Sequence, residues 1–419
     1  MNTEKKAITG KPLAWLLTLI YFSSYITRKN FAAVLQEVIT DTGFSKEVLS
    51  AVVVSMTITY GVGQIINGRL GDKFKPTNMI LCGLSVATAV NLIFPFLTAS
   101  VPAMAIAWGI NGFAQAMMWP PIVRILVLNC DDAMYGYSVV RISWGSSFAT
   151  IAIYLIAPIV IGLTGSWKGM FAISATVGLC VTLFWLFARK RVSTELPAPA
   201  EAEVAPNGSQ EAKFSIPKAA ILPFVFIILG IIFQGMLRDG VATWMPTYLA
   251  ENHGVSNEAS IFSGIFPAVF SIFCFSISGT LYRKFFKNEV VCGGVVFGVA
   301  VLSALTLFLL YGRTNAAVAT VCLTLVTGCM HGVNLMLITH VPKRFKKYGN
   351  ISTFAGVVNA CTYIGEAIFT YGLAMIATNF NWHVCIAVCL VIALLGTVCC
   401  FLAAAPWQKF YSKDDSLSS

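Results

Sequence analysis

The chain has 419 residues, of which 57% are hydrophobic and only 11% charged, against about 25% charged in an average soluble domain. That balance excludes a soluble globular protein, and at about 20 apolar residues per span the length holds twelve membrane helices with residues left for loops. A formal net charge of +10 would point to nucleic acid in a soluble chain, but the basic residues here alternate between loops, so no nucleic-acid partner is expected.

In chain order, apolar runs predict helices over 12–36, 48–68, 78–98, 101–125, 136–163 and 168–188. A second set follows over 218–249, 258–281, 289–311, 315–340, 349–377 and 382–404. Between the sets, residues 189–217 are rich in Pro, Ala and Glu and nearly devoid of apolar side chains, which reads as a flexible linker. The expected organisation is an all-α membrane protein: a six-helix bundle over 1–188, the linker, a second bundle over 218–406, and a tail over 407–419.

Cytoplasmic loops carry the excess of Lys and Arg. Of the 28 such residues, only Lys46, Lys168 and Arg313 fall in loops on the side opposite the termini, while Arg28, Lys29, Arg141 and Arg238 lie inside spans. The others crowd the terminus side, so both termini are expected in the cytoplasm. The N-terminus has no short cleavable core and no retention signal is present, which favours the cell (inner) membrane. Cys82, Cys274, Cys292, Cys322, Cys361, Cys385, Cys389, Cys399 and Cys400 sit in apolar runs and read as small buried hydrophobes. No metal-ligand spacing occurs, and no cofactor is expected.

The two helix sets repeat one another. GRLGDKF at 68–74 returns as GTLYRKF at 279–285, Tyr135-Gly136 as Tyr348-Gly349, and Arg28 as Arg238, all at offsets of about 210 residues. Parallel six-helix repeats about an axis along the membrane normal describe the major facilitator architecture, with substrate near the midplane between the halves. GRLGDKFK at 68–75 resembles the loop motif between the second and third helices of major facilitator transporters. Within that superfamily, YFSSYITRKNF (21–31), MWPPIVR (118–124), LRDGVATWMPTYL (237–249) and HVPKRFKKYGN (340–350) together resemble the organophosphate:phosphate antiporters. That family includes glycerol-phosphate, hexose-phosphate and phosphoglycerate transporters.

Arg28 and Arg238 are the most informative residues, because an arginine at a helix centre costs about 2.5–3.5 kcal/mol on the insertion scale. Snorkelling or a structural carboxylate partner would offset that cost. Their repeat equivalence instead suggests two forked guanidinium groups holding one doubly charged anion, and phosphate monoesters are mostly dianionic at pH 7. The resemblance implies this same role for both. Tyr21, Tyr25 and Arg28 share one helical face, and Lys29 lies about 100° away.

The resemblance also places Tyr21, Tyr25, Trp119 and Tyr363 in the cavity, with core or interface filling the alternative for Tyr21 and Tyr25 and packing beside a proline kink the alternative for Trp119. Asn359, Tyr363, Glu366 and Thr370 form a stripe at helical spacing, with Glu366 standing where a small residue is expected. Trp144 falls on a family histidine. Arg141, one turn earlier, is open to two readings, a third cation for substrate or a structural partner of Glu366. His331 stands where the family often has Tyr, with a titration range that suits a pH-dependent role. Gln36 replaces a family proline that Pro246 keeps in the second half. Neighbours on a helix point about 100° apart, so Asp239 need not pair with Arg238; it is a proton site, a gate or a structural partner. Asp72 and Lys73 read as a conformational latch beside a helix N-terminus. Arg283 takes the acidic position in the second half, which makes the latch asymmetric.

The expectation is therefore a non-enzymatic secondary transporter, functional as a monomer in the lipid bilayer. It would exchange a phosphorylated organic anion (sugar phosphate, glycerol phosphate or phosphoglycerate) for inorganic phosphate by alternating access. Two facing arginines without a counter-charge would make closure of an empty site costly, so switching should require cargo. Proton symport of an organic anion through Asp239, Glu366 or His331, and a transporter-like sugar-phosphate sensor, are the alternatives.

Overall fold

The computed structural model describes residues 7–44, 46–194, 218–255, 263–345 and 351–416. Apart from short 3-10 and π turns and a single α-helical turn over Val341–Lys343, the regular elements among them are fifteen α-helices. They are α1 Gly10–Ala33, α2 Leu35–Thr42, α3 Lys46–Lys73, α4 Pro76–Ile93, α5 Val101–Gln115, α6 Trp119–Asn129, α7 Asp132–Thr164 and α8 Lys168–Ala188. After these come α9 Lys218–Gly235, α10 Val241–His253, α11 Ile265–Leu281, α12 Glu289–Leu309, α13 Ala316–Asn334, α14 Ile351–Asn379 and α15 Trp382–Ser416.

Ten helical stretches among the described residues are long and apolar enough to cross a bilayer. The other two of the expected twelve spans have visible reasons to be less apolar or shorter. In α1, Thr18, Ser23, Ser24, Thr27, Arg28, Lys29 and Asn30 interrupt the apolar run. The run expected over 101–125 breaks at a turn over 116–118 into α5 and α6. Pro120 and Pro121 lack N–H groups, so they end one helix and suit the first turn of the next. Conversely, α15 runs to Ser416, well past 404, because the indole of Trp407 is fully buried and donates to Glu289 Oε1 at 2.9 Å.

Chain ends of the helices are set by local chemistry. Asp131, Asn288 and Asn315 accept from backbone N–H groups of the first turns of α7, α12 and α13, and such caps satisfy donors that the helix itself cannot. Gly165 and Gly254 close α7 and α10 in the left-handed region. The outer faces carry large apolar side chains such as Ile58, Ile106, Ile159 and Leu163, a surface that water would not tolerate but lipid does. Cys82 and Cys180 lie on such faces. The expectation that Cys82 is buried is corrected here, since an apolar thiol in a membrane helix can be covered by lipid instead of protein.

One core cluster draws only on residues 22–177 and another only on residues 220–411, while a third joins α1, α6 and α7 to α11, α12 and α14. The first and second helix sets meet where α3 lies on α14 and α7 on α11. The α3–α14 approach is a backbone contact: a Cβ at Gly356 would fall 2.1 Å from the Gln64 carbonyl oxygen and 2.9 Å from Gly68 Cα. Residues 195–217, most of the expected linker, and the Tyr348-Gly349 landmark lie outside the described residues, as do the side chains of Gln36, Lys46 and Pro246.

Candidate functional site

The inner faces of α1, α3 and α14 converge on Arg28. Its guanidinium donates from Nη2 to the Tyr363 hydroxyl at 3.1 Å, and its carbon stands 3.9 Å from the Tyr60 ring, 5.4 Å from Tyr25 and 5.5 Å from Tyr363. Cation–π attraction to three electron-rich faces offsets part of the cost of a charge inside the membrane. Tyr60 and Tyr363 meet edge to face at 4.6 Å. Further along the same wall, Tyr21 contacts Tyr25 at 5.1 Å and Trp119 at 5.3 Å. Trp119 is only 4% exposed, and its indole N–H has no hydrogen-bond partner among the described residues. A buried donor left unpaired costs about 1–3 kcal/mol, so Trp119 holds an unused donor behind Tyr21.

Arg28 is held from behind by a buried polar network. Ser24 Oγ donates to Gln115 Oε1 at 2.5 Å, and Gln115 Nε2 donates to Thr27 Oγ1 at 2.9 Å. Asn91 and Asn111 both donate to the Thr27 carbonyl, at 2.8 and 3.0 Å, and Asn30 donates to Asn91 at 2.8 Å. These bonds tie α1 to α4 and α5 one residue from the arginine, which fixes its rotation about the helix axis. Neither Tyr60 nor this network was expected from the sequence. The signal for Tyr60 was present, since Tyr60, Gln64, Asn67 and Gly71 share one face of the helix.

Arg238 enters from the other helix set, in a π turn over Met236–Gly240 that separates α9 from α10. Here the structure brings its neighbour onto it, a pairing that helical spacing alone had left open. Arg238 Nε donates to Asp239 Oδ2 at 2.7 Å and Nη2 reaches the same oxygen at 2.5 Å. The wider π turn alters the angular step that would keep adjacent side chains apart in a regular α-helix. Arg238 and Arg28 each lie within electrostatic reach of Tyr25 and Tyr363. Lys29 and His331 lie within reach of Asp239, and Glu366 within reach of Asp239, Lys29, Arg238 and Arg28. His331 also meets the Phe275 ring edge to face at 5.4 Å.

Arg141 and Trp144 stand elsewhere. Arg141 stacks 3.9 Å from the Trp144 ring and 4.9 Å from Tyr137, and no Arg141–Glu366 ion pair forms. The two residues were matched across separate helices whose relative rotation spacing alone does not fix. The Trp144 indole donates to Ile272 O and Ser276 Oγ, both at 3.2 Å, and Ser147 Oγ lies 2.6 Å from Ser271 Oγ. Trp144 therefore straps α7 to α11 and does not join the arginine cluster.

On the terminus side the helix sets are closed on each other. Asp72 accepts from the backbone N–H groups of Ser352 at 3.0 Å and Thr353 at 2.8 Å, and from the Thr353 hydroxyl at 2.5 Å. A carboxylate there meets the positive end of α14. Tyr135 donates to the Thr339 carbonyl at 2.6 Å, and Lys343 pairs with Asp132. Arg124 donates to the carbonyls of Gly71 and Phe74, bracing the end of α3. Lys73 is exposed. In the repeat, the Arg283 guanidinium lies beside Gly136 near the start of α7, so a cation stands at a helix N-terminus there. Asp72→Asn should accordingly loosen this closure: amide hydrogen exchange at Ser352 and Thr353 is expected to quicken about tenfold, the equivalent of ~1.4 kcal/mol. Unchanged exchange would rule out the Asp72 contact as a latch.

Residues 17–370 match the model of the Major Facilitator Superfamily. The chain is 26% identical over 386 residues to a glycerol-3-phosphate transporter of Bacillus subtilis, covering 87% of this chain and 85% of that protein. It is 27% identical over 411 residues to a probable hexose phosphate transport protein of Chlamydia muridarum, covering 90% and 87%. In three dimensions it matches the crystal structure of the transporter FucP in its outward conformation with a TM-score of 0.73, at 12% identity, over 93% of this chain and 98% of that one. The ten membrane-length helices among the described residues, the match to the family model and the similarity to known transporters agree: the chain is a multi-pass membrane transporter of the Major Facilitator Superfamily and not an enzyme.

Proposed function

We propose that the chain carries a small phosphorylated organic anion, of the sugar phosphate, glycerol phosphate or phosphoglycerate type, and that inorganic phosphate uses the same site in exchange. The observation that carries this reading is that Arg28 and Arg238, equivalent positions of the repeat, are two cations inside the membrane that both lie within electrostatic reach of Tyr25 and Tyr363. Two guanidinium forks offer several N–H donors to the oxygens of a phosphate dianion, and tyrosine hydroxyls can donate to the rest. The similarity to glycerol-phosphate and hexose-phosphate transport proteins supports the same substrate class.

In this reading the bundles over 1–188 and 218–406 rock about the site, and the observed closure on the terminus side is one end of the cycle. Both termini face the cytoplasm of a cell whose inner membrane holds the protein, and one chain suffices. The test is counterflow of radiolabelled phosphate into vesicles containing the purified protein, with glycerol-3-phosphate, glucose-6-phosphate, 3-phosphoglycerate and phosphoenolpyruvate as competitors. At least one of them is expected to suppress phosphate entry at micromolar to millimolar concentration. Folded protein that neither exchanges phosphate nor responds to any of the four refutes the assignment; binding without turnover would make it a receptor.

A further inference from the structure

The pairing of Arg238 with Asp239 bears on how the carrier cycles. Asp239 Oδ2 receives both Nε and Nη2 of Arg238, the same guanidinium edge that a phosphate would use. The π turn holding the pair is pinned at both ends against α14. A Cβ at Gly235 would meet the Thr362 carbonyl at 2.1 Å, and one at Gly240 would meet the Phe369 ring at 2.6 Å. Both side chains keep partial exposure, 12% and 23%, so the carboxylate can move without moving the backbone. Lys29 on α1 and His331 on α13 also face Asp239 within electrostatic reach, and Glu366 on α14 faces the same group of charges. Lys29 thus gives the carboxylate a second cation to turn to when Arg238 is taken.

We propose that Asp239 is a tethered counter-anion for Arg238. It stands in for cargo when the site is empty, and a phosphate-bearing anion must displace it to bind. The inference rests on the transport reading above and alters its expected stoichiometry. A buried guanidinium without a partner makes closure costly. With its own carboxylate in place, Arg238 is compensated, and Arg28 is shielded by Tyr25, Tyr60 and Tyr363. The empty carrier can then reorient, so the chain performs net transport of its anion as well as exchange.

The experiment compares uptake of labelled inorganic phosphate into vesicles with and without internal phosphate, at equal pH on both sides. For the wild-type protein the two rates should agree within about threefold. In Asp239→Asn the ratio of loaded to empty uptake should rise at least tenfold, and half-saturation for phosphate should fall. Asp239→Glu, which keeps the carboxylate, should restore the wild-type ratio. Equal ratios in the wild type and Asp239→Asn overturn the inference. So does a wild-type protein that takes up phosphate only into loaded vesicles, a result that needs no variant to fold. In both cases phosphate transport itself survives, whereas absence of phosphate uptake under every condition rejects the substrate assignment instead.

Discussion

Replacement of Arg28 or Arg238 by lysine is expected to lower phosphate or organophosphate uptake about a hundredfold at subsaturating substrate, although the charge is kept. Each guanidinium can give a phosphate two parallel charge-assisted hydrogen bonds, and hydrogen bonds to charged groups contribute about 1.5–3 kcal/mol each. An ammonium offers a point charge in place of the fork, so loss of about one such bond per site, near 3 kcal/mol, corresponds to about a hundredfold. The two variants should also differ in kind. Lysine at 28 gives up the guanidinium contact 3.9 Å from the Tyr60 ring centre and the bond to the Tyr363 hydroxyl, which disturbs the cage that orients the site. Lysine at 238 can still pair with Asp239, whose carboxylate accepts from Arg238 in the present structure. Arg28→Lys should therefore affect both the maximal rate and half-saturation, and Arg238→Lys mainly half-saturation. Uptake by both single variants within about threefold of wild type would remove the arginines from the binding site.

Much of the fold was legible because a membrane span announces itself by length and hydropathy. Even the break between α5 and α6 was written in the sequence as Pro120-Pro121, although the apolar run hid it. The site was legible where repeat symmetry singled out a costly residue, as at Arg28 and Arg238. It was not legible where local helix geometry departs from the regular form. A π turn has no compositional signature, yet the one over Met236–Gly240 is what lets Asp239 reach its neighbour. That pairing removes the electrostatic reason for supposing that an empty site must stay open. Contacts between helices distant in sequence were similarly beyond reach: the rotation of α7 against α14 decides whether Arg141 meets Glu366, and here Arg141 lies instead on Trp144 of its own helix. Tyr60 was readable from its spacing with Gln64 and Asn67, but it stands about two turns before the GRLGDKF motif of the same helix and belongs to no family motif.

The largest conformational effect is expected at Gly356. In the observed state α3 and α14 touch through backbone atoms, with Gly68 and Gly356 facing each other near the Gln64 carbonyl. No flexible side chain can give way there, so Gly356→Leu has two outlets, distorting the helices or separating them. Overpacking of this kind costs about 1–3 kcal/mol when the structure must absorb it. Alternating access provides a route to avoid the cost, because opening on the terminus side parts α3 from α14 together with the Asp72 bonds at Ser352 and Thr353. The state closed on that side should lose about ten- to a hundredfold in relative population. Hydrogen exchange at the start of α14 would then rise by a similar factor, transport would fall, and the melting temperature would change little. Gly365 is the informative contrast. A Cβ there would meet the Ile232 carbonyl at 2.1 Å, a contact between α9 and α14 that belongs to one helix set, so Gly365→Leu should lower the melting temperature without redistributing states. Gly298, with nothing within 4 Å of its Cβ position, should accept leucine silently. If Gly356→Leu exchanges like wild type while Gly365→Leu melts early, the α3–α14 contact persists through the cycle, and the opening on the terminus side must occur between α7 and α11 alone.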